Sequence, residues 1–150
     1  MRGRGRLRAR FFPVDCFVER IEAVIPPEIF QNPFDVVSMQ FCMHYAFASE
    51  AQARMMLRNV AKHLRPGGTF IGTVPNDKQL LNRLDALPDG ELEWGNSKYR
   101  IKFASRGRPQ LYGQRYMFYL QDAVHDVPEF VVHWENFERY VARPTFITLC

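Results

Sequence analysis

Cysteines are scarce in this sequence, and the three that occur (Cys16, Cys42 and Cys150) have no paired spacing. An odd number of scattered cysteines suits a reducing compartment, where thiols stay free. The four histidines also show no metal-ligand spacing with any cysteine. We therefore expect free cysteines and no bound metal.

Long apolar runs are also missing, because no stretch reaches the roughly 18 consecutive apolar residues of a membrane-spanning helix. No apolar stretch follows the N-terminal arginines, which excludes the pattern of a secretory signal. Acidic residues are absent from the first ten positions, which instead contain Arg2, Arg4, Arg6, Arg8 and Arg10. Residues 1–10 are therefore predicted to be a basic, disordered leader able to bind RNA loosely, or translated sequence that does not belong to the domain.

The rest of the chain carries no excess of positive charge. The net charge of +4 comes from 20 basic and 16 acidic residues, and without the five leader arginines the balance is 15 against 16. One further stretch contains basic residues and no acidic ones, namely Lys98, Arg100, Lys102, Arg106, Arg108 and Arg115. This basic cluster suits contact with phosphates, and a solvated strand face explains it about equally well.

Apolar runs at residues 11–14, 34–39 and 70–74 predict buried strands. The second run is continuous, which is typical of a parallel strand covered on both faces. A brief helix is expected over residues 17–25, where two prolines follow. The sequence therefore begins with alternating strands and helices.

A longer helix is predicted from Ser49, which forms a capping-box pattern with Gln52. Its buried face should consist of Ala53, Met56, Leu57, Val60 and Leu64. Pro66-Gly67-Gly68 is expected to end this helix. Pro75-Asn76 then leads into another helix, which carries Leu80, Leu81, Leu84 and Leu87.

The pattern changes near residue 99, where apolar and basic residues alternate over 99–103 and again over 112–120. Alternation of this kind predicts two half-exposed strands that form an antiparallel pair. Residues 127–130 are expected to bend the chain, and 134–141 to form a last short helix. Strand–helix–strand–helix followed by such a pair indicates an α/β protein.

Four segments, in this order, carry a resemblance: FDVVSMQFCMHYAF, MMLRNVAKHLRPGGTFIGTVPN, YGQRYMFYL and DVPEF. Together, at compatible spacing over residues 11 to about 141, they resemble the mRNA cap guanine-N7 methyltransferase family. The resemblance implies a partial domain over residues 11–150. Its fold would be a partial class I methyltransferase (Rossmann-like) sheet, lacking the first two strands and ending in an antiparallel strand pair.

The resemblance also implies a methyl donor, S-adenosylmethionine, as co-substrate and no metal. Asp15 matches the acidic residue that accepts a hydrogen bond from the donor's adenine. Gln40 and Tyr45 match residues beside its methionine moiety. Because an acidic residue after a strand is often only a turn or cap residue, a structural role for Asp15 stays open.

For the cap guanine, Phe41, His44 and Tyr45 match an aromatic wall suited to a flat base. Glu129 matches the carboxylate that accepts from the guanine N1 and N2 hydrogens, a donor pair that sets base specificity. Tyr116 matches an aromatic residue near the cap ribose. Two simpler roles stay open, namely Phe41 as a core residue and His44 as a structural histidine.

The implied reaction transfers a methyl group to N7 of the cap guanine, and N7 carries no proton that a general base must remove. The implied partners are 5′-capped mRNA and other capping or transcription machinery, with no membrane, and the implied location is the nucleus. Two alternatives remain: a module that binds cap guanine or RNA without methyl transfer, and a methyltransferase for a different small molecule.

The sequence departs from the family in lacking the glycine-rich loop and the acidic residue that follow its first two strands. The basic residues that hold the cap triphosphate are also missing, and the C-terminal continuation stops at Cys150. We therefore expect a fragment or incomplete gene model that is poorly stable and weakly active, because a buried parallel strand would lose its neighbours.

Overall fold

The computed structural model of the protein describes residues 9–106 and 111–141. In chain order its elements are β1 (Phe34–Met39), α1 (Glu50–His63), β2 (Leu64–Gly72), α2 (Asp77–Asp85), β3 (Glu93–Gly95), β4 (Tyr99–Phe103), β5 (Arg115–Leu120), β6 (Val124–Phe130) and α3 (Trp134–Val141). Short 3₁₀ helices occur at Ile21–Ala23, Pro27–Phe30 and Met43–Ala48. No helix within the described ranges has the length and apolar character needed to cross a membrane. Arg108, Cys150 and residues 1–8 of the predicted leader lie outside the described residues.

Helix α1 begins as its sequence predicts. The Ser49 hydroxyl accepts the backbone N–H of Gln52 at 3.3 Å, and the whole predicted face is buried. The predicted stop at Pro66-Gly67-Gly68 is wrong, because the helix ends at His63 and the next residue, Leu64, already has extended backbone angles. Residues 64–72 instead form the parallel strand β2, in which Leu64 and residues 69–72 pair with β1 and the residues between them form an irregularity.

Strands β1 and β2 form a two-stranded parallel sheet in the described part of the chain. Met39 and Phe70 face the protein core, whereas Val36 and Ile71 are 54% and 45% exposed. The strand at 34–39 is thus confirmed, but the expectation that both its faces are buried is wrong. On the face that carries Val36, Phe34 contacts the ring of Phe30, while Val36 itself meets solvent.

The segment before β1 contains neither the predicted strand at 11–14 nor the predicted helix at 17–25. Phe11 is 91% exposed, and a turn follows in which the Asp15 carbonyl accepts the N–H groups of Val18 and Glu19. The Asn59 side chain in α1 donates to the carbonyls of Cys16 and Glu19. These are carbonyls that a helix would use internally, so tertiary contacts replace the helix.

The predicted antiparallel pair consists of β4 and β5, with Ile101 opposite Phe118. It is part of a four-stranded sheet of order β3-β4-β5-β6. The bend expected at residues 127–130 is wrong, since these residues belong to β6 and pair with β5. Pro128 is tolerated there because β6 is an outer strand of this sheet, where a missing N–H need not break a second ladder. Helix α3 is confirmed at its predicted bounds.

Two apolar clusters hold these elements together. One lies between α1, α3 and the 3₁₀ helix Met43–Ala48, with Met56, Phe47 and Val141 at its centre. The other lies between α2 and the antiparallel sheet, with Leu84 and Phe103 at its centre. Strand β5 and the 3₁₀ helix thereby become fixed supports for the side chains described below.

Glu22 ties the segment before β1 to α1. Its carboxylate lies 2.8 Å from Arg58, 2.6 Å from Lys62 and 3.4 Å from His63. Hydrogen bonds from Arg58 and Lys62 hold the pKa of Glu22 well below its ordinary value of 4.5. A lowered folded-state pKa means that these contacts add stability above the ordinary pKa and lose it as the pH falls.

We expect Glu22→Gln to lower the free energy of unfolding near neutral pH by about 1 kcal/mol, because partly exposed ion pairs are screened by solvent. The difference from the unmodified protein should shrink as the pH falls from about 4.5 toward the lowered folded-state pKa of Glu22, because the carboxyl of the unfolded chain takes up a proton first. Urea denaturation over a pH series measures this. Glu28→Gln, at an exposed position of the same segment, is the control, and an equal effect there would contradict the prediction.

Candidate functional site

Glu129 is the centre of a buried polar cluster. It lies in β6 opposite Tyr116 of β5, and it is 6% exposed. The Tyr116 hydroxyl donates to Glu129 Oε2 at 2.7 Å. On the other carboxylate oxygen, Oε1, the Tyr45 hydroxyl donates at 3.5 Å and His44 Nε2 lies 3.4 Å away. Two segments distant in sequence therefore meet at one carboxylate.

The 3₁₀ helix Met43–Ala48 supplies His44 and Tyr45. Met43, Ala46 and Phe47 fix this helix by packing into the core, and the ring of His44 packs against that of Tyr45 with centroids 4.4 Å apart. Tyr116 is held in the same way, because its ring stacks on Phe103. The cluster is therefore preorganised by apolar packing on both sides.

The electrostatics of the cluster favour an ionised carboxylate. Burial by itself raises the pKa of Glu129, but the contacts from His44, Tyr116 and Tyr45 outweigh it and leave the pKa below its ordinary value. Burial, followed by the interaction with Glu129, raises the pKa of Tyr116 and of Tyr45. Both phenols thus stay protonated donors beside a negative charge.

His44 has hydrogen-bonding capacity that the described part of the protein leaves unused. Its side chain is 4% exposed, yet neither Nδ1 nor Nε2 makes a hydrogen bond of acceptable geometry with a described residue. The 3.4 Å contact with Glu129 is therefore an electrostatic contact. Buried polar groups are normally satisfied, so this imidazole is suited to a polar ligand.

Phe41 presents an exposed ring on the loop that follows β1. Its side chain is 77% exposed, and its backbone has a φ of 55°, in the left-handed region that is unfavourable for residues other than glycine. The N–H of Phe41 donates to Thr73 Oγ1 at 2.9 Å. Thr73 follows β2, so this bond joins the carboxyl ends of both parallel strands.

Asp15 and Gln40 lie on neighbouring loops. Both are exposed; Asp15 Oδ1 accepts the N–H of Phe17 at 3.0 Å, and the Gln40 amide donates to Ser38 Oγ at 3.1 Å. Phe17 and Met39, each next to one of these loops, pack on the same apolar cluster. An apolar residue next to each loop therefore anchors that loop to the same cluster.

The structure thus brings together His44, Tyr45, Tyr116 and Glu129, and it leaves Asp15, Gln40 and Phe41 exposed on loops. Tyr116, expected near a cap ribose, is 1% exposed and uses its hydroxyl on Glu129. The individual ligand roles of all seven residues stay predictions. Sequence reasoning missed Thr73, which its position after a parallel strand would have indicated.

The described members of the basic cluster are largely occupied by other groups. Arg100 pairs with Asp126 at 2.7 Å, and Lys102 lies 3.7 Å from Glu93. Arg106 donates to the backbone carbonyls of Leu87 and Pro88. These contacts favour the solvated strand face over a free phosphate-binding surface.

Parallel strands with polar and aromatic side chains beyond their carboxyl ends are typical of α/β proteins that bind a small ligand at that edge. Within residues 9–106 and 111–141, no group of three His, Cys, Asp or Glu residues is arranged to hold a metal ion. The family model described as the mRNA (guanine-N(7))-methyltransferase domain matches residues 2–145. The chain belongs to this family.

Relatives named mRNA cap guanine-N(7) methyltransferase are close in sequence. The chain is 53% identical to the one from Cryptococcus neoformans var. neoformans serotype D, over 86% of this chain and 21% of that protein. It is 48% identical to the one from Schizosaccharomyces pombe, over 86% and 36% respectively, and 41% identical to the one from Saccharomyces cerevisiae, over 81% and 30%. The chain therefore spans between about a fifth and a third of these relatives' lengths.

A solved S-adenosylmethionine-dependent methyltransferase from Clostridium acetobutylicum is a more distant match. It has a TM-score of 0.41 and 14% identity, over 73% of this chain and 46% of that one. This likeness is too low to support an argument about the site.

We expect Tyr116→Phe to raise the pKa of Glu129, because it removes the short hydrogen bond to the charged carboxylate and leaves the burial unchanged. Tyr45→Phe should raise it less, since that hydroxyl is 3.5 Å away. NMR titration of the Glu129 carboxyl carbon measures both shifts. Tyr119→Phe, on the same strand and outside the cluster, is the control, and a shift there as large as in Tyr116→Phe would contradict the assignment.

Proposed function

We propose that the protein binds the guanine of an mRNA 5′ cap at Glu129. We further propose that the whole protein transfers a methyl group from S-adenosylmethionine to N7 of that base. The observation that carries the proposal is the ionised, nearly buried carboxylate of Glu129, which three side chains hold in place. A buried charge is costly unless it has partners, and an arrangement of this kind suits a ligand that offers donors.

Guanine offers such donors, because its N1–H and N2–H groups lie side by side on one edge. A carboxylate has about four lone-pair positions, and Tyr116 occupies one of them on Oε2. The contacts on Oε1 are longer, at 3.4 and 3.5 Å, so this oxygen has the larger remaining capacity. Adenine lacks the paired donors, and the carboxylate would therefore select guanine.

The rings around the site suit a flat base. Tyr45 lies beside Glu129, and Phe41 is exposed on the same connection between β1 and α1. Their side chains would stack on the purine, as aromatic residues do on unpaired bases. His44 would use its open ring nitrogens on polar atoms of the same ligand.

Methylation of N7 needs little proton transfer by the protein, because N7 of guanine has a free lone pair. S-adenosylmethionine, when bound, supplies an electrophilic methyl group attached to a sulfonium. The exposed carboxylate of Asp15 fits an adenine amino group, since Oδ2 can accept a hydrogen bond while Oδ1 keeps the N–H of Phe17. By holding the two substrates in line, the protein would contribute about 7–11 kcal/mol from proximity.

The same proposal makes 5′-capped mRNA the substrate and other capping or transcription machinery the neighbouring partners. It locates the protein in the nucleus, where mRNA caps are usually methylated. Support for these parts comes from the family alone.

Binding without methyl transfer is the second candidate function. It is favoured by one observation, namely that His44, Tyr45, Tyr116 and Glu129 are assembled in this chain, whereas the hydrogen bonds of Asp15 within the described ranges are local. Calorimetry with the dinucleotide cap analogue GpppA and, separately, with S-adenosylmethionine distinguishes the two. Binding of both ligands supports the methyltransferase, and binding of the cap analogue alone supports the module.

We expect Glu129→Gln to weaken binding of GpppA by about 1–3 kcal/mol, because an amide accepts less strongly and turns its own donors toward those of the guanine. Binding of S-adenosylmethionine should not change. Titration calorimetry of both ligands measures this, with Glu28→Gln at an exposed position as the matched control.

A second cap analogue, measured with the unmodified protein, tests the guanine contact even if Glu129→Gln folds poorly. The analogue IpppA lacks the guanine N2 amino group and should bind the unmodified protein more weakly than GpppA. Equal affinity for the two analogues, or equal affinity of Glu129→Gln and the unmodified protein for GpppA, would refute the guanine contact.

A further inference from the structure

Asn59 is a buried amide on the largely apolar face of α1. It is 3% exposed and lies beside Met56 and Val60, which are 0% and 2% exposed. A polar side chain at such a position destabilises the fold unless it is fully hydrogen-bonded. Its presence in the core therefore indicates a specific structural or functional role.

The Nδ2 and Oδ1 atoms of Asn59 both form hydrogen bonds with the backbone of one short segment. Its Nδ2 donates to the carbonyls of Cys16 and Glu19, at 2.9 and 2.8 Å. Its Oδ1 accepts the N–H of Ile21 at 3.4 Å. Both donors and the acceptor thus bind groups within residues 16–21, directly after Asp15.

This segment has little regular structure of its own. A turn follows Asp15, and a single 3₁₀ turn is formed by Ile21–Ala23. Phe17 contributes an apolar contact to the core, and Glu22 pairs with Arg58 and Lys62 of α1. The conformation of residues 16–21 is consequently determined by α1, and Asn59 makes most of the contacts.

We propose that Asn59 is a positioning residue for the methyl donor: by fixing the backbone of residues 16–21, it sets where the carboxylate of Asp15 stands. The inference rests on the proposed function, in which Asp15 binds the donor's adenine. Asn59 itself touches no ligand. Its effect is confined to the donor, because Glu129 and Tyr116 belong to strands that Asn59 does not contact in its hydrogen bonds.

The test compares Asn59→Ala with Asn82→Ala, an exposed asparagine in α2. We expect Asn59→Ala to bind S-adenosylmethionine at least roughly fivefold more weakly and GpppA within about twofold of the unmodified protein, with no change in Asn82→Ala. Without ligand, amide hydrogen exchange over residues 16–21 should become faster in Asn59→Ala, while the amides of β5 and β6 keep their protection.

A double-mutant cycle with Asp15→Asn separates positioning from general stability. If Asn59 acts through Asp15, its removal should cost little further donor affinity once Asp15→Asn is present, so the two effects are not additive. Asn59→Ser, which shortens the side chain and keeps a hydroxyl, repeats the measurement if the alanine variant folds poorly. Additive effects on donor affinity would overturn the positioning role.

The remaining outcomes are also decisive. Equal donor affinity of Asn59→Ala and the unmodified protein, or an equal loss of cap-analogue affinity, would overturn this inference and leave the proposed function standing. An unmodified protein that binds GpppA but no S-adenosylmethionine would refute methyl transfer by this chain, and the inference with it.

Discussion

The hydrogen bond from Tyr116 to Glu129 is the contact on which the site depends. It is 2.7 Å long, it lies inside the antiparallel sheet, and both of its side chains are nearly buried. A carboxylate in such a place would ordinarily take up a proton, and donated hydrogen bonds keep it charged. The ring that makes this bond is supported in turn, because Trp94 stacks on Phe103 at 5.8 Å and Phe103 on Tyr116 at 5.4 Å. One of the donors that keep Glu129 charged, together with His44 and Tyr45, is thus supported by an aromatic column that reaches across three strands.

Two sheets of different kinds contribute to the ligand site, and each supplies what its geometry favours. The antiparallel sheet holds Glu129 on a rigid strand, at a fixed position opposite Tyr116. The parallel sheet ends in loops, from which the ring of Phe41 and the amide of Gln40 extend into solvent. The 3₁₀ helix Met43–Ala48 connects them, because it follows β1 and brings Tyr45 to Glu129. The proposed guanine position lies where this helix meets the antiparallel sheet.

Where local pattern and tertiary contact agree, the sequence is sufficient to predict the element. The cap and the apolar face of helix α1 are both visible in its sequence, and the alternation of apolar and basic residues around Ile101 indicates β4 and β5. Local rules fail for residues 16–21, because hydrogen bonds that shape this segment come from Asn59, more than 30 positions later. Pro128 led to the prediction of a bend. An outer strand tolerates a proline, but the sequence alone cannot show that this strand is an outer one. The resemblance pointed to Glu129, His44 and Tyr45, but the bond between Tyr116 and Glu129 could only come from the register of β5 and β6.

The backbone at Phe41 has a consequence for molecular recognition. Its φ of 55° is accompanied by the hydrogen bond from the Phe41 N–H to Thr73 Oγ1. The main chain that carries the ring is therefore fixed by a contact within the protein. In the proposed function, an ordered main chain at this position means that less conformational entropy is lost on complex formation than with a flexible loop. The cost of the unfavourable backbone angle is then part of the folding free energy and is separate from the free energy of binding.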